Sequence, residues 1–292
     1  MSDVAIEATA DGVWFGPALR RRVAIGIAVG WMALVLALPL ALVFATAFGE
    51  GAAAFFSALG GPAFLHAALL TAIAAVCALA FNVVFGVVAA WAVVRTNLPG
   101  RRLISTLLDL PVAVSPVIAG LMFLLLFGRQ GWFAPLLEST GIQIVFALPG
   151  IVIATIFVTM PFVAKEVIAV LQETGTAQEE AAATLGASPW RVFVEIVIPN
   201  IRWAVFYGSV LTAARAVGEF GAVSVLSGNV VGKTQTLPLF IERAYSNYET
   251  QVAFAAAVPL TMFAVLTIAA QLLFGWWAAR RRSAKHAEET SR

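Results

Sequence analysis

Six stretches of the chain are apolar almost without interruption: Val23 to Phe48, His66 to Val94, Leu103 to Phe127, Ile144 to Ala164, Trp203 to Leu226 and Val252 to Ala279. Each is long enough, at about 1.5 Å per residue, to cross a hydrocarbon layer ~30 Å thick as a helix. The pattern predicts an all-α polytopic membrane protein with six transmembrane helices. The second run, 29 residues long, exceeds that need and predicts a tilt or a projection into one aqueous face. Gly49 to Leu65 reads as an outer loop. Pro111 and Pro116 fall in the third run, Pro149 and Pro161 in the fourth and Pro259 in the sixth. Each proline frees a backbone carbonyl that a neighbouring helix or a water-lined cavity must satisfy, so bent helices are expected, serving either packing or a translocation path.

One stretch interrupts this pattern with polar residues at specified spacings: Gln178 to Pro199, QEEAAATLGASPWRVFVEIVIP. Thr176 and Glu179 have capping-box spacing, which predicts a helix from about Ala177. Gly186 suits the left-handed position that ends a helix, Ser188 is a favourable N-cap, and Pro189 fits the first helical position, where no N–H is needed. A second helix then carries Trp190, Phe193, Val194 and Val197 as an apolar stripe opposite Arg191 and Glu195, and Pro199 is expected to stop it. The prediction is two short helices joined by a sharp turn.

Composition supports a membrane class, with 61% hydrophobic and 12% charged residues. Net charge is only +2, but its distribution is uneven. Alternate loops and both termini hold 14 of the 18 lysines and arginines: Arg20 to Arg22, then Arg95, Arg101 and Arg102, then Lys165, Arg191 and Arg202, then the tail at Arg280, Arg281, Arg282, Lys285 and Arg292. The other loops hold Arg129, Lys233 and Arg243. The positive-inside rule puts both termini and the 173–199 loop in the cytoplasm. The expected organisation is a segment 1–22 with Trp14 and Phe15 as an interfacial anchor, a permease domain 23–279, and a basic tail 280–292. The first run is too long for a signal peptide, despite Ala45-Thr46-Ala47 resembling a cleavage site, and reads as a retained span.

Charged groups are costly inside a membrane, so Asp109, Arg215 and Glu219 stand out. Arg215 and Glu219 are spaced to pair at i, i+4, and Asp109 is expected either to snorkel to water or to line the inner mouth. Asn82 is the main amide of the second run and reads as a helix-to-helix hydrogen bond or a path residue. These four are the candidate translocation-path residues. Cys77, the sole cysteine, reads as a small buried apolar residue, and His66 as a polar residue at the outer end of its span. His66 and His286 are too far apart to suggest a metal pair. Ser227 to Thr234, SGNVVGKT, falls one residue short of the phosphate-binding G-x-x-x-x-G-K-[ST] pattern. It follows a membrane span rather than a strand and precedes Pro238, so it reads as an outer turn before a short segment, Thr236 to Tyr248. No catalytic constellation appears, no metal site is expected, and energy for transport must come from an ion gradient or a partner.

The interrupting stretch resembles the signature of ABC importer permease subunits, E-A-A, three residues, Gly, nine residues, then I-x-L-P: Glu180, Ala181, Ala182, Gly186, Ile196, Ile198 and Pro199, with Ile198 in place of Leu. GEFGAVSVLSG (Gly218 to Gly228), LPLFIE (Leu237 to Glu242) and YSNYETQVAFAAA (Tyr245 to Ala257) resemble the W-type branch of sulfate/thiosulfate importer permeases. The resemblance implies the type I, MetI-like permease fold with a cytoplasmic coupling helix, in a bacterial inner membrane. It implies as partners a homologous T-type permease, two copies of a cytoplasmic ATPase that binds ATP and Mg, a periplasmic sulfate/thiosulfate-binding protein and lipid, with no cofactor in this chain and no nucleic acid. The coupling residues would be Glu179, Glu180, Ala181, Ala182, Gly186, Ala187, Trp190 and Pro199, with Glu179 and Glu180 offering carboxylates to a partner's basic groups. A permease for molybdate or tungstate, or an ion-coupled secondary transporter, are the alternative readings.

Overall fold

The computed structural model describes residues 17–96 and 99–290, with side chains over 21–96 and 99–276. The expected anchor at Trp14 and Phe15 lies outside the described residues. Everything regular among them is helical: α1 (Pro17–Ala47), α2 (Ala52–Gly60), α3 (Pro62–Arg95), α4 (Arg101–Ala113), α5 (Pro116–Phe127), α6 (Ala134–Thr140), α7 (Leu148–Thr174), α8 (Ala177–Thr184) and α9 (Pro189–Val192). A π-helical turn (Phe193–Val197) follows, then α10 (Ile198–Val217), α11 (Gly221–Leu226), α12 (Leu237–Ser246) and α13 (Thr250–Thr290).

Five helical segments are long and apolar enough to cross a membrane, and α4 with α5 makes six if the two count as one broken span. The third run is therefore not a gently bent helix. Its halves meet at 110°. Pro116 forces the residue before it out of the helical region, and Ser115 sits accordingly at φ −56°, ψ 133°. The fifth run is also divided, since α10 ends at Val217 and α11 starts only at Gly221. The expected loop at 49–65 folds as α2, whose Phe55 is buried and stacks on Phe48 at 4.3 Å.

The core is three helices, α3, α7 and α10, with α3 and α7 parallel and α10 antiparallel to them. They approach closely because two glycines face Val163. A Cβ on Gly86 would stand 2.9 Å from the Ala164 nitrogen and from Val163 side-chain atoms, and one on Gly208 would stand 2.7 Å from the Val163 Cα. Small residues at crossings are how membrane helices gain packing without a hydrophobic driving force between them. One turn away along each helix lie buried Asn82, Thr159 and Thr212. Towards the other end, Val87, Ala90, Val167, Leu171, Val197 and Ile201 close the core.

A second unit, α5 with α11, packs on α7 through Phe123, Val223, Leu226 and Val158. Gly120 lies against the Ala222 carbonyl and Gly221 against Pro116, again at distances a Cβ would violate. Helix α1 packs on α13 at the periphery, and its apolar window leaves no residue buried within this chain. Cys77, expected inside, is exposed on α3 because Ala74, Ala75 and Ala78 take the inward face.

Candidate functional site: the 173–199 segment and the helices it joins

Helix α8 begins at Ala177, as the spacing predicts, but not through a capping box. Thr176 has near-helical angles (φ −112°, ψ −6°) and makes no cap to the first-turn amides. Its hydroxyl instead donates to Glu180 Oε1 at 2.6 Å. Glu179 does not reach back, because Arg95 of α3 holds it, Nε to Oε1 at 2.8 Å. The two carboxylates still favour this end by their charge against the helix dipole.

The other end of α8 closes as a Schellman motif. Ala187 N donates to Ala182 O at 3.0 Å, and Gly186 N donates to Ala183 O at 3.0 Å. Gly186 itself lies at φ +84°, where a side chain is strained although there is open space for one. Ser188 then accepts from Arg191 N at 3.4 Å and Pro189 occupies the first turn of α9, both as the sequence indicates.

Pro199 does not stop the second helix. Residues 189–217 form one continuous helical segment that widens into the π turn at 193–197 before α10. The Ile198 amide donates to Phe193 O, five residues back, and Pro199, with no N–H to offer, sits in the first turn of α10. One wider turn absorbs what would otherwise be a break. The stripe is correspondingly uneven: Val197 is buried and Phe193 packs beside it, while Trp190 is 73% exposed and Val194 is also exposed. Arg191 pairs with Glu195 at 3.0 Å on the outer side. Asn200 Nδ2 donates to Gln178 Oε1 at 2.9 Å, tying the base of α10 back to α8.

Of the expected coupling residues, Glu180, Ala181, Gly186 and Trp190 are exposed, as is Pro199; Ala182 and Ala187 are half-buried. Glu179 is the exception, spent inside the chain on Arg95. In the sequence Arg95 stands out only as one of the positive charges. Its position in the last turn of a long helix was the one available signal that it could also serve helix ends.

The four candidate path residues are dispersed. Arg215 Nη1 approaches Glu219 Oε2 at 2.6 Å, the i, i+4 pair expected, although no N–H aligns on that oxygen as a hydrogen bond. Glu219 is not within a continuous helix: it lies in the gap before α11, and its Oε1 accepts from Ala222 N at 2.9 Å. The pair is asymmetric, with the Glu219 side chain 1% exposed and that of Arg215 35% exposed. Asp109 is exposed and pairs with Lys165 of α7 at 2.5 Å. Asn82 is fully buried between α3 and α7, donating to Ile156 O at 3.2 Å and Thr159 Oγ1 at 2.7 Å, so it fastens helices and lines no open path here.

SGNVVGKT turns its polar groups inward. The amides of Lys233, Thr234 and Gln235 all donate to Val230 O, and Thr234 Oγ1 accepts from Val230 N at 3.1 Å. A phosphate cradle needs such amides pointing outward. The loop is pinned to α3 instead, where the buried Thr71 Oγ1 accepts from Leu237 N at 2.7 Å. The expected short segment at 236–248 is the helix α12.

Comparison with known proteins agrees with this architecture. Residues 82–283 match the family model described as binding-protein-dependent transport system inner membrane component. The chain is 52% identical over 244 residues to the sulfate transport system permease protein CysW of Synechocystis, covering 84% of this chain and 88% of that one. It is 34% identical over 250 residues to the sulfate transport system permease protein CysT of Escherichia coli K12, covering 84% and 90%. Among solved structures, a chain of a bacterial alginate ABC transporter in complex with an alginate pentasaccharide-bound periplasmic protein has the same fold at a TM-score of 0.70, with 19% identity, 87% of this chain and 92% of that chain covered. The chain belongs to the family of binding-protein-dependent transport system inner membrane components, the multi-pass permease subunits of ABC importers.

Proposed function

We propose that this chain is one permease half of an ATP-driven importer of sulfate or thiosulfate, and that residues 173–199 receive the conformational work of a partner ATPase. The observation that carries this reading is the continuity of the segment 189–217. A displacement applied at the Gly186 turn enters α9 and reaches the core along one helical segment, since no loop lies between α9 and α10. The names of the relatives, sulfate permeases of two types, support the substrate and a homologous T-type partner. A periplasmic binding protein delivers the anion, two ATPase copies bind ATP and Mg, and this chain contributes no nucleotide site. The basic loops put both termini and the 173–199 segment on the cytoplasmic side. Glu180, exposed and, among the described residues, held by Thr176, is the carboxylate offered to the ATPase. Arg215, partly exposed beside a buried acid and with donors to spare, is the residue of this chain that meets the anion during passage.

The test is ATP-dependent uptake of radiolabelled sulfate into proteoliposomes holding this chain, the T-type permease, the ATPase and the binding protein. Gly186→Asp and Glu180→Lys should abolish uptake while the complex still assembles in the membrane. Undiminished uptake in both variants, or uptake by this chain alone without ATP, refutes the proposal.

A further inference from the structure

Arg95 makes three side-chain hydrogen bonds at this end of the bundle. Only 6% of it is exposed, and its three nitrogens serve three different groups. Nη1 donates to Leu171 O at 2.9 Å and Nη2 to Gly175 O at 2.6 Å, while Nε holds the Glu179 carboxylate at 2.8 Å. Leu171 belongs to the last turn of α7, whose final carbonyls have no helical partners, so the guanidinium caps that helix and places a cation at the negative end of its dipole. Glu179 belongs to the first turn of α8, which follows α7 after Gly175 and Thr176 alone. Gly175 sits at φ +63° with no neighbour within 4 Å of where a Cβ would stand, and without a Cβ its backbone can adopt many other conformations. Without Arg95, α8 would join α7 through a glycine hinge, and among the described residues it would be held by its short turn into α9 and the exposed Gln178–Asn200 contact, with nothing fixing it to α3 and α7.

We propose that Arg95 is the positioning residue that locks α8 onto α3 and α7, so that force applied to α8 moves the transmembrane core instead of swinging α8 about Gly175. The planar fork of arginine makes this possible, because its donors lie in one plane and reach two carbonyls and a carboxylate together. A lysine ammonium at the same place is a compact point charge and keeps at most part of the set. The neighbouring acids are thereby divided: Glu179 faces inward as part of the lock, and Glu180 faces outward. The inference rests on the coupling role proposed above and deepens it.

The test uses the reconstituted complex, measuring sulfate imported and ATP hydrolysed in the same vesicles. ATP-driven uptake by the unsubstituted complex checks the importer reading itself; if it fails, that reading falls and not the lock alone. Given uptake, Arg95→Ala should leave assembly and stimulated ATPase largely intact yet lower sulfate imported per ATP by about tenfold, the size expected from losing charge-assisted hydrogen bonds. Arg95→Lys should recover part of the ratio, Glu179→Ala should lower it by no more than Arg95→Ala because the two helix carbonyls keep their donor, and the double variant should be no worse than Arg95→Ala because the residues share one network. An unchanged ratio, with all loss explained by less assembled complex, overturns the proposal, as does additive loss. For variants that assemble poorly, a nitroxide at Leu185→Cys in a Cys77→Ala background reads α8 directly, since Leu185 is 89% exposed at its end. The label should gain mobility in Arg95→Lys and Glu179→Gln; an unaltered spectrum in both refutes the lock.

Discussion

Gly208→Ala tests whether the α7–α10 crossing is set by the absence of a side chain. The added Cβ would stand 2.7 Å from the Val163 Cα and 3.3 Å from both the Phe162 carbonyl oxygen and the Val163 nitrogen. These are backbone atoms, so no rotamer change relieves the contact. Carbon atoms pack at about 3.5–4.0 Å, so the helices must part by about 1 Å. Overpacking of this kind costs about 1–3 kcal/mol. Against it stands a gain of about 1 kcal/mol, because alanine is the better helix former. The net effect is a loss of about 0–2 kcal/mol, too small to interpret by itself. Gly30→Ala supplies the reference, since a Cβ there meets nothing within 4 Å and carries only the helix-propensity gain. The informative quantity is the difference between the two variants, about 1–3 kcal/mol. Titration of micelle-solubilised protein with sodium dodecyl sulfate, followed by tryptophan fluorescence, measures it, with Gly30→Ala at or above the parent midpoint and Gly208→Ala below Gly30→Ala. Equal midpoints for the two variants would show that the crossing tolerates a methyl group and that the close approach is not what holds α10 in place.

Two further outcomes follow from buried polar groups. Arg215→Ala should destabilise by about 3–5 kcal/mol because it strands the buried Glu219 charge, whereas Arg215→Ala with Glu219→Ala should lose clearly less; the same detergent titration measures both, and a double variant at least as damaged as Arg215→Ala rules out the pair. Thr71→Val keeps the shape of the side chain but leaves the Leu237 amide without its acceptor, costing about 1–3 kcal/mol, and hydrogen exchange should quicken at Leu237 and not at Ile201.

What the sequence determined is what local chemistry determines. Runs of apolar residues must become helices in lipid, because each backbone group there needs an internal partner, and the six runs are helical over most of their length, with breaks at 114–115 and 218–220. The turn at 184–189 was legible for the same reason: Gly186, Ser188 and Pro189 each carry a backbone preference that requires no distant partner. Partnership across the chain was not legible. Thr176 and Glu179 satisfy the capping-box spacing, yet the box does not form, because Arg95, more than 80 residues earlier, claims Glu179 first. Pro199 satisfies the rule for stopping a helix, yet a π turn and packing of Val197 and Ile201 into the core carry the helix past it. Pro116 announced a bend, but not its 110° or the packing of α5 on α11 that accompanies it. Spacing along the chain fixes which residues a helix presents; which of them are spent inside the protein depends on the charge or carbonyl that tertiary packing brings within about 3 Å.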